Sequence, residues 1–468
     1  MTSNYPFLPQ AISVSTKSPS SLTSNSVRFL FVFALFSALV FSVKTEAQLA
    51  SQFSLSVGEE FNDNIFFSKQ REHDFITNIS PTFRLLYQPS ESTPGSSERI
   101  FKFYFTPTGQ IFARNPENNN FGENLSMGGD VTYAYSPRLT FFVIDTFRLR
   151  GDTRTVGGGG EAFFQTPGTP TGPPVGGLSG SQSAGDFVSN GNTLSNYLTL
   201  QGDYLLSPMI TIIGRYTSDY TSFFDEGGSE FSNTIGIRGS YRWQQEHNLN
   251  AGYSIGFYRS RNGENNVIHT FNLGDDFFSR RLIQLTPTLT LSGATGISLN
   301  TANNGPRVAN NTSLTLIKLW ERASLSGGVR KRLTSSFGVS GISDTLTLFT
   351  SFNARITEQL SATALIDYSR YDTDDDDFDT LQAVANLKYA ITSWLCSSIL
   401  YSHRRRASDD RSSNSNFHSR GNAYGNSVLL TFSTNFDLWP TFGKTRGQGA
   451  CGVGAPSLAP QLPQRTSQ

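Results

Sequence analysis

A short turn recurs along this chain with similar chemistry each time. Tyr135-Ser-Pro-Arg138, Leu206-Ser-Pro-Met209, Trp243-Gln-Gln-Glu-His247, Phe278-Ser-Arg-Arg281, Leu319-Trp-Glu-Arg322, Ile356-Thr-Glu-Gln359 and Ile391-Thr-Ser-Trp394 follow one another at roughly 35–45 residues, the long gap after Arg150 excepted. Each joins two runs of alternating apolar and polar residues, and between successive turns lies a longer connection rich in Gly, Asn, Asp and Ser. Short turn, strand, long loop, strand is the rhythm of an outer-membrane barrel. The expected fold class is therefore all-β: a transmembrane, up-and-down antiparallel β-barrel of about 18 strands, within a range of 16–18.

Side chains alternate faces along a strand, so period-two patterning separates an apolar face from a wet one. In Ile283–Ser292, read as one strand, Ile283, Leu285, Leu289 and Leu291 oppose Gln284, Thr286, Thr288 and Thr290. In Phe231–Trp243, Ile235, Ile237, Tyr241 and Trp243 oppose Ser232, Thr234, Arg238, Ser240 and Arg242. A soluble sandwich or propeller also alternates, but its strands have a mode near 5–6 residues. The runs here last about 12–15, which suits the roughly 9–11 residues that a tilted strand needs to cross a bilayer. Aromatics gather at the short-turn ends (Tyr133, Tyr135, Tyr241, Trp243, Trp320, Tyr389, Trp394, Phe436, Trp439), as an interfacial girdle requires.

Strands are expected from 53–67 through 421–436, including one at 265–278 and one at 281–298. Their even number and the placing of the short turns put the amino end in the periplasm and the long loops outside. The longest connection, about 151–191, either lies on the surface or folds inward to constrict the barrel.

Mean hydropathy is −0.29 and charged residues make up 16% of 468. Those values describe a soluble protein unless polar lumen positions cancel lipid-facing ones within each strand. Zero net charge argues against a nucleic-acid binder. Residues 1–47 read as a signal peptide: Lys17 and Arg28 precede an apolar core, Phe29–Val43, and Thr45-Glu-Ala47 offers a cleavage site. Fifteen residues span about 22 Å as a helix, short of a membrane crossing. The barrel is expected over 48–442, and the Gly/Pro/Gln-rich stretch 443–468 as a disordered tail. Cys396, on a strand face shared with Ser398 and Ser402, and Cys451, in the tail, are read as isolated thiols. Pairing, which would tether the tail to the lumen, is the alternative.

The alternation assigns Lys102, Arg148, Arg150, Arg215, Arg238, Arg242, Arg330, Arg332, Arg355, Lys388 and Arg404 to the lumen, with fewer acids: Asp130, Asp203, Asp219 and Asp367. A basic lumen inside a low-dielectric wall concentrates anions. The competing reading has these arginines paired with lumen acids or inward loops and merely bracing the wall. The expected function is a porin-like channel for passive diffusion of small hydrophilic, anionic or carbohydrate solutes. The alternatives are a component of exopolysaccharide export and a plugged structural or adhesive barrel. The implied partners are outer-membrane lipid and lipopolysaccharide, the barrel-assembly machinery, and the solute or polysaccharide itself.

No enzyme, cofactor or metal site is expected. The run Asp372–Asp379 lacks the Gly and Glu of a calcium loop. Gly157–Gly160 lacks the ending of a phosphate loop. The histidines His73, His247, His269, His403 and His418 map mostly to loops or turns.

Ser54-Leu-Ser-Val-Gly-Glu-Glu-Phe-Asn-Asp-Asn-Ile-Phe-Phe67 followed by Asp74-Phe-Ile-Thr-Asn-Ile-Ser-Pro-Thr-Phe83 resembles the opening of the beta-barrel porin 2 family. Its members begin with a "DN(I/V)F" strand and a "D-x-I-T-x-(I/V)-S-P" strand. Several lie among Gram-negative genes for exopolysaccharide production and protein sorting. The resemblance covers about residues 53–88 and implies an outer-membrane location and a barrel, with no site residues to transfer. Asn62 to Asn64 is expected as a polar patch at the outer end of the first strand, and Ser80-Pro81 as a bulge in the second, since proline cannot donate to a ladder.

Overall fold

The computed structural model describes residues 47–69, 71–89, 99–151, 192–224, 228–244, 247–259, 263, 265–275, 283–286, 288–302, 305–335, 342–372, 377–392, 394–408 and 422–438. The expected signal peptide (Ala47 apart), the long connection after Gly151, the acidic loop at 373–376 and the tail lie outside these residues.

The strands are β1 Ala47–Asn62, β2 Asp74–Pro89, β3 Arg99–Phe112, β4 Asn120–Ser136, β5 Leu139–Arg150, β6 Thr193–Ser207, β7 Ile210–Phe223, β8 Ser229–Gln244, β9 His247–Arg259 and β10 Asn265–Asp275. They continue as β11 Ile283–Thr286, β12 Leu289–Ala302, β13 Gly305–Leu319, β14 Ala323–Ser335, β15 Ile342–Arg355, β16 Leu360–Asp372, β17 Asp377–Ala390, β18 Leu395–Ser408 and β19 Ala423–Asp437. Neighbours pair antiparallel, and β1 closes on β19 from Gln52↔Asp437 to Asn62↔Ser427. Closure removes the exposed edges that an open sheet would carry. β10 and β11 both pair with β12, along Ile268–Gly274 and Ile283–Thr286 respectively, so they lie end to end in one position. The result is a closed antiparallel barrel of 18 strands. Among the described residues no helix is long and apolar enough to cross a membrane.

The expected turn at Phe278–Arg281 lies outside the described residues, and the expected single strand Ile283–Ser292 is corrected. The hairpin reverses between Thr286 and Leu289, which pair with each other. The alternation misled because Ile283 pairs with Leu291, and Gln284 with Thr290, across the hairpin. Opposed residues share a face, so the folded-back segment keeps the pattern of an unbroken strand.

A common device explains why the short turns look alike. The Ser207 hydroxyl accepts the amides of Met209 (3.3 Å) and Ile210 (3.1 Å). Thr357 does the same for Gln359 and Leu360, and Thr392 for Trp394 (3.3 Å) and Leu395 (3.0 Å). Ser136 and Thr286 accept one amide each. A hydroxyl at the turn entrance thus satisfies N–H groups that the ladder leaves over. In three of these hairpins, and in the β8–β9 hairpin, the register slips by one residue just before the turn, at Tyr135, Leu206, Leu285 and Trp243. A bulge re-aims a side chain, and here Tyr135, Leu206 and Leu285 stand exposed at the rim.

The bulge expected at Ser80-Pro81 is absent. Pairing of β2 with β1 runs through Leu55↔Pro81 without a shift, and β2–β3 pairing keeps one register on both sides of a gap at 80–82. Within that register Pro81 stands opposite Pro107, so neither strand has an amide to offer there. Side chains bridge the gap instead: Ser80 to Thr108 and Thr82 to Thr106, each at 2.9 Å between hydroxyl oxygens.

Candidate functional site: the inner face of the wall

Register divides every strand into two rows. One row holds the exposed apolar residues, such as Val57, Phe105, Ile235, Ile237, Leu314, Leu316, Leu348, Ile366, Leu387, Ile399 and Leu430. The other, facing the enclosed side, holds buried polar residues: Ser54, Glu60, Asn78, Gln110, Ser298, Thr345, Ser369, Gln382 and Ser402. Chains of register partners keep the rows consistent around the barrel, for example Asp367↔Gln382 and Gln382↔Arg404.

On that register Lys102, Arg148, Arg150, Arg215, Arg238, Arg242, Arg330, Arg332, Arg355, Lys388 and Arg404 all fall in the inner row. They do not form one cluster. Arg330, Arg332, Lys388 and Arg404 lie on β14–β18, whereas Lys102, Arg148, Arg215 and Arg238 lie on β3–β8. The lumen acids sit beside some of them. Asp130 is the register partner of Lys102, Asp203 interacts with Arg238, and Asp367 with Arg330 and Arg332. The Arg330 guanidinium also lies 5.7 Å from the Phe349 ring centroid, within range of a cation–π contact. Arg148, Arg242 and Arg355 make no ion pair among the described residues. Both sequence readings therefore have members: some cations are offset by acids, others are not.

Inner residues that the sequence reading passed over include Arg84, Arg406, Glu60 and Glu230. Glu60 and Glu230 are almost fully buried. The same parity count from Ser54 and Ser232 places them, so the signal was present. Glu60 anchors a polar ladder across four strands. Asn62 Nδ2 (3.3 Å) and Asn78 Nδ2 (3.4 Å) donate to its carboxylate, Gln110 Nε2 donates to Asn78 Oδ1 (2.9 Å), and Asn124 Nδ2 donates to Gln110 Oε1 (2.6 Å). Asn124 Oδ1 then accepts the Gly151 amide at 3.0 Å, where the long connection begins. A buried network of this kind is stable only when each member is satisfied, and the chain of amides meets that condition link by link.

The inner row is not uniformly polar, as the alternation implied. Leu365, Val384, Leu400 and Leu429 are inner-row neighbours on β16–β19, and the last three form a buried apolar cluster against which Leu365 packs.

The polar stretch Asn62 to Asn64 stands at the end of β1, and the connection from β1 to β2 folds around it. Asn64 is a hub: its amide N–H donates to Asn62 Oδ1 (3.0 Å), and its Nδ2 to the carbonyls of Ser68 (2.8 Å) and Tyr424 (2.9 Å). Ile65 is fully buried against Ile76 and Phe112, both inner-row residues. Phe67 takes a positive φ of 47° and lies under Arg406, another inner-row residue. The Asn-Asp-Asn-Ile-Phe-Phe stretch is thus a folded segment laid on the inner wall of β2, β3, β18 and β19. Cys396, an inner-row residue near the short-turn end, is disulfide-bonded, which corrects the reading of isolated thiols. The chain's other cysteine is Cys451.

No family model matches the sequence, and no curated protein does. The chain is similar to several solved structures. Acinetobacter baumannii OccAB4 is 11% identical, the alignment covering 83% of this chain and 98% of that one with a TM-score of 0.44. Pseudomonas aeruginosa OccK2 (OpdF) is 10% identical over 84% of this chain and 99% of that one, TM-score 0.45, and has also been solved in complex with glucuronate. Pseudomonas aeruginosa OpdK with vanillate is 10% identical over 83% and 99%, TM-score 0.42. At these identities and scores, the barrel assignment stands on the chain's own strand pairing.

Proposed function

We propose that the chain is an outer-membrane channel through which small hydrophilic solutes diffuse passively, with anionic solutes preferred. The observation that carries this reading is a closed wall of two unlike faces, apolar outside and rich in Arg, Asn, Ser and Thr inside. An apolar band closed on itself matches hydrocarbon, where a closed barrel satisfies every backbone group internally. A wall of 16–18 strands is wide enough to leave an aqueous path. The inner basic residues without acidic partners supply a positive field, which a low-dielectric wall focuses. In this reading the short turns face the periplasm and the long connections face outside, as in other barrels. The β1–β2 segment on the inner wall favours a narrow channel over a wide one.

Reversal potentials in a KCl gradient across a planar bilayer test the proposal. The expected result is anion selectivity that weakens or inverts in a variant carrying Arg148→Glu, Arg242→Glu and Arg355→Glu. Cation selectivity in the unmodified protein would overturn it.

A further inference from the structure

Cys396 is disulfide-bonded, and the chain holds only one other cysteine, Cys451. The bond therefore joins the second residue of β18 to the segment that follows β19. Cys396 falls in the inner row near the short turns, between Ala390 on β17 and Ser433 on β19, and is 4% exposed. Its side chain points to the enclosed side, so the sulfur bonded to it arrives from there. β19 ends at Asp437, and Ser433 lies four residues earlier, about 13 Å up the wall. The fourteen residues from Leu438 to Cys451 span at most roughly 46–50 Å, which leaves roughly 30 Å to bow across the mouth. Residues 439–468 lie outside the described residues.

The wall around the bond leaves room for a chain. Register carries one inner row from Ala390 and Cys396 through Ser433 to Ser56 on β1 and Ser80 on β2. No side chain in that row reaches more than one heavy atom beyond Cβ. Near other short turns the inner row carries Arg242 on β8 and Arg355 on β15. The Ser56 and Ser433 hydroxyls make no hydrogen bond among the described residues. A main chain laid along this row meets both depth and hydroxyl groups for its own N–H and C=O.

We propose that residues 443–468, clamped to the inner wall by the Cys396–Cys451 bond, form a built-in obstruction that narrows the channel at its short-turn mouth. The bond adds a second anchor to a segment otherwise joined to the barrel only at its start. Two anchors hold it near the mouth at high effective concentration. In the proposed orientation that mouth faces the periplasm, an oxidising compartment in which a disulfide persists. The inference rests on the channel reading above.

Two measurements on the full chain purified from outer membranes test it. In a tryptic digest of the unreduced protein, residues 389–404 and 447–465 should appear as one linked peptide by mass spectrometry. A phosphine reductant should separate them into two thiols, the phosphine leaving as its oxide with oxygen taken from water. In a planar bilayer, unit conductance should rise on adding the same reductant. Cys451→Ser and deletion of residues 443–468 should each start at the raised conductance and show no response to reductant. Heat-modifiable mobility confirms that each form is a folded barrel. A linked peptide with equal conductance in the oxidised, reduced, Cys451→Ser and deleted forms would overturn the obstruction and leave the channel standing. Absence of the linked peptide would overturn the tether. No conductance from any folded form would overturn the channel reading, and the obstruction with it.

Discussion

Replacing Ile65 by alanine removes the apolar pin of the β1–β2 segment while leaving the strand pairing untouched. Ile65 is fully buried, and so is Ile76; Phe112, the third member of the cluster, is 2% exposed. Truncating such a side chain costs about 2–5 kcal/mol, the spread depending on how far the site collapses. What remains to hold the segment is mainly polar: the Asn64 hydrogen bonds, those between Asp63 and Asn426, and the Ile65 amide to the Glu72 carbonyl at 2.9 Å. Each contributes about 1 kcal/mol net. The loss is therefore comparable with several of those hydrogen bonds together. Even the lower bound raises its local opening equilibrium about 30-fold, at 1.4 kcal/mol per factor of ten. Hydrogen exchange reads this directly at the Ile65 and Phe67 amides, whose acceptors are Glu72 and Asn64. Both should exchange at least about 30-fold faster in the variant, with amides in the β7–β8 ladder unchanged. If both amides keep their protection, the segment is held by something other than this cluster, and the account of the inner wall is wrong.

Other consequences are simpler to check. Thr392→Ala leaves the amides of Trp394 and Leu395 without their hydroxyl acceptor; urea titration in detergent should show a loss of about 0.5–1.5 kcal/mol, and no loss would remove the turn hydroxyl as a structural device. Gly296→Ala places a methyl group hard against the Phe271 carbonyl oxygen. The β10–β12 pairing must then spread, at about 1–3 kcal/mol or more, seen as a lower temperature for loss of the heat-modified form. An unchanged temperature would show that the strands are farther apart than described. Thiol titration of the unfolded chain should find none without reductant and both cysteines after reduction; two reactive thiols before reduction would contradict the disulfide.

Period-two patterning carried most of the wall. It placed Arg238, Arg355 and Arg404 in the inner row because a strand fixes the face of each side chain by parity alone. It failed where parity carries no information. A hairpin at Thr286–Leu289 reproduces the alternation of a straight strand, so the reversal was invisible to face counting. Ser136-Pro137 and Ser207-Pro208 mark comparable turns, and Thr286-Pro287 matches them, but Ser80-Pro81 and Thr106-Pro107 do not turn. The difference lies in the partner: Pro81 faces another proline across the ladder, and hydroxyl pairs bridge the gap. Ile65 reads as one more apolar residue in an alternating strand until Ile76 and Phe112 are brought against it, which only the closed fold does.

The account stands or falls on a wall with two faces around a passable, basic interior, and strand β8 allows both to be read at once. Single cysteines at Thr234, Ile235, Gly236 and Ile237 would be reacted in intact membranes with an anionic and a cationic methanethiosulfonate. Thr234→Cys and Gly236→Cys should react, and faster with the anionic reagent; Ile235→Cys and Ile237→Cys should stay nearly inert to both. Reaction at all four positions would contradict the membrane wall. Reaction at none would contradict an open interior, and faster reaction with the cation would contradict its basic character.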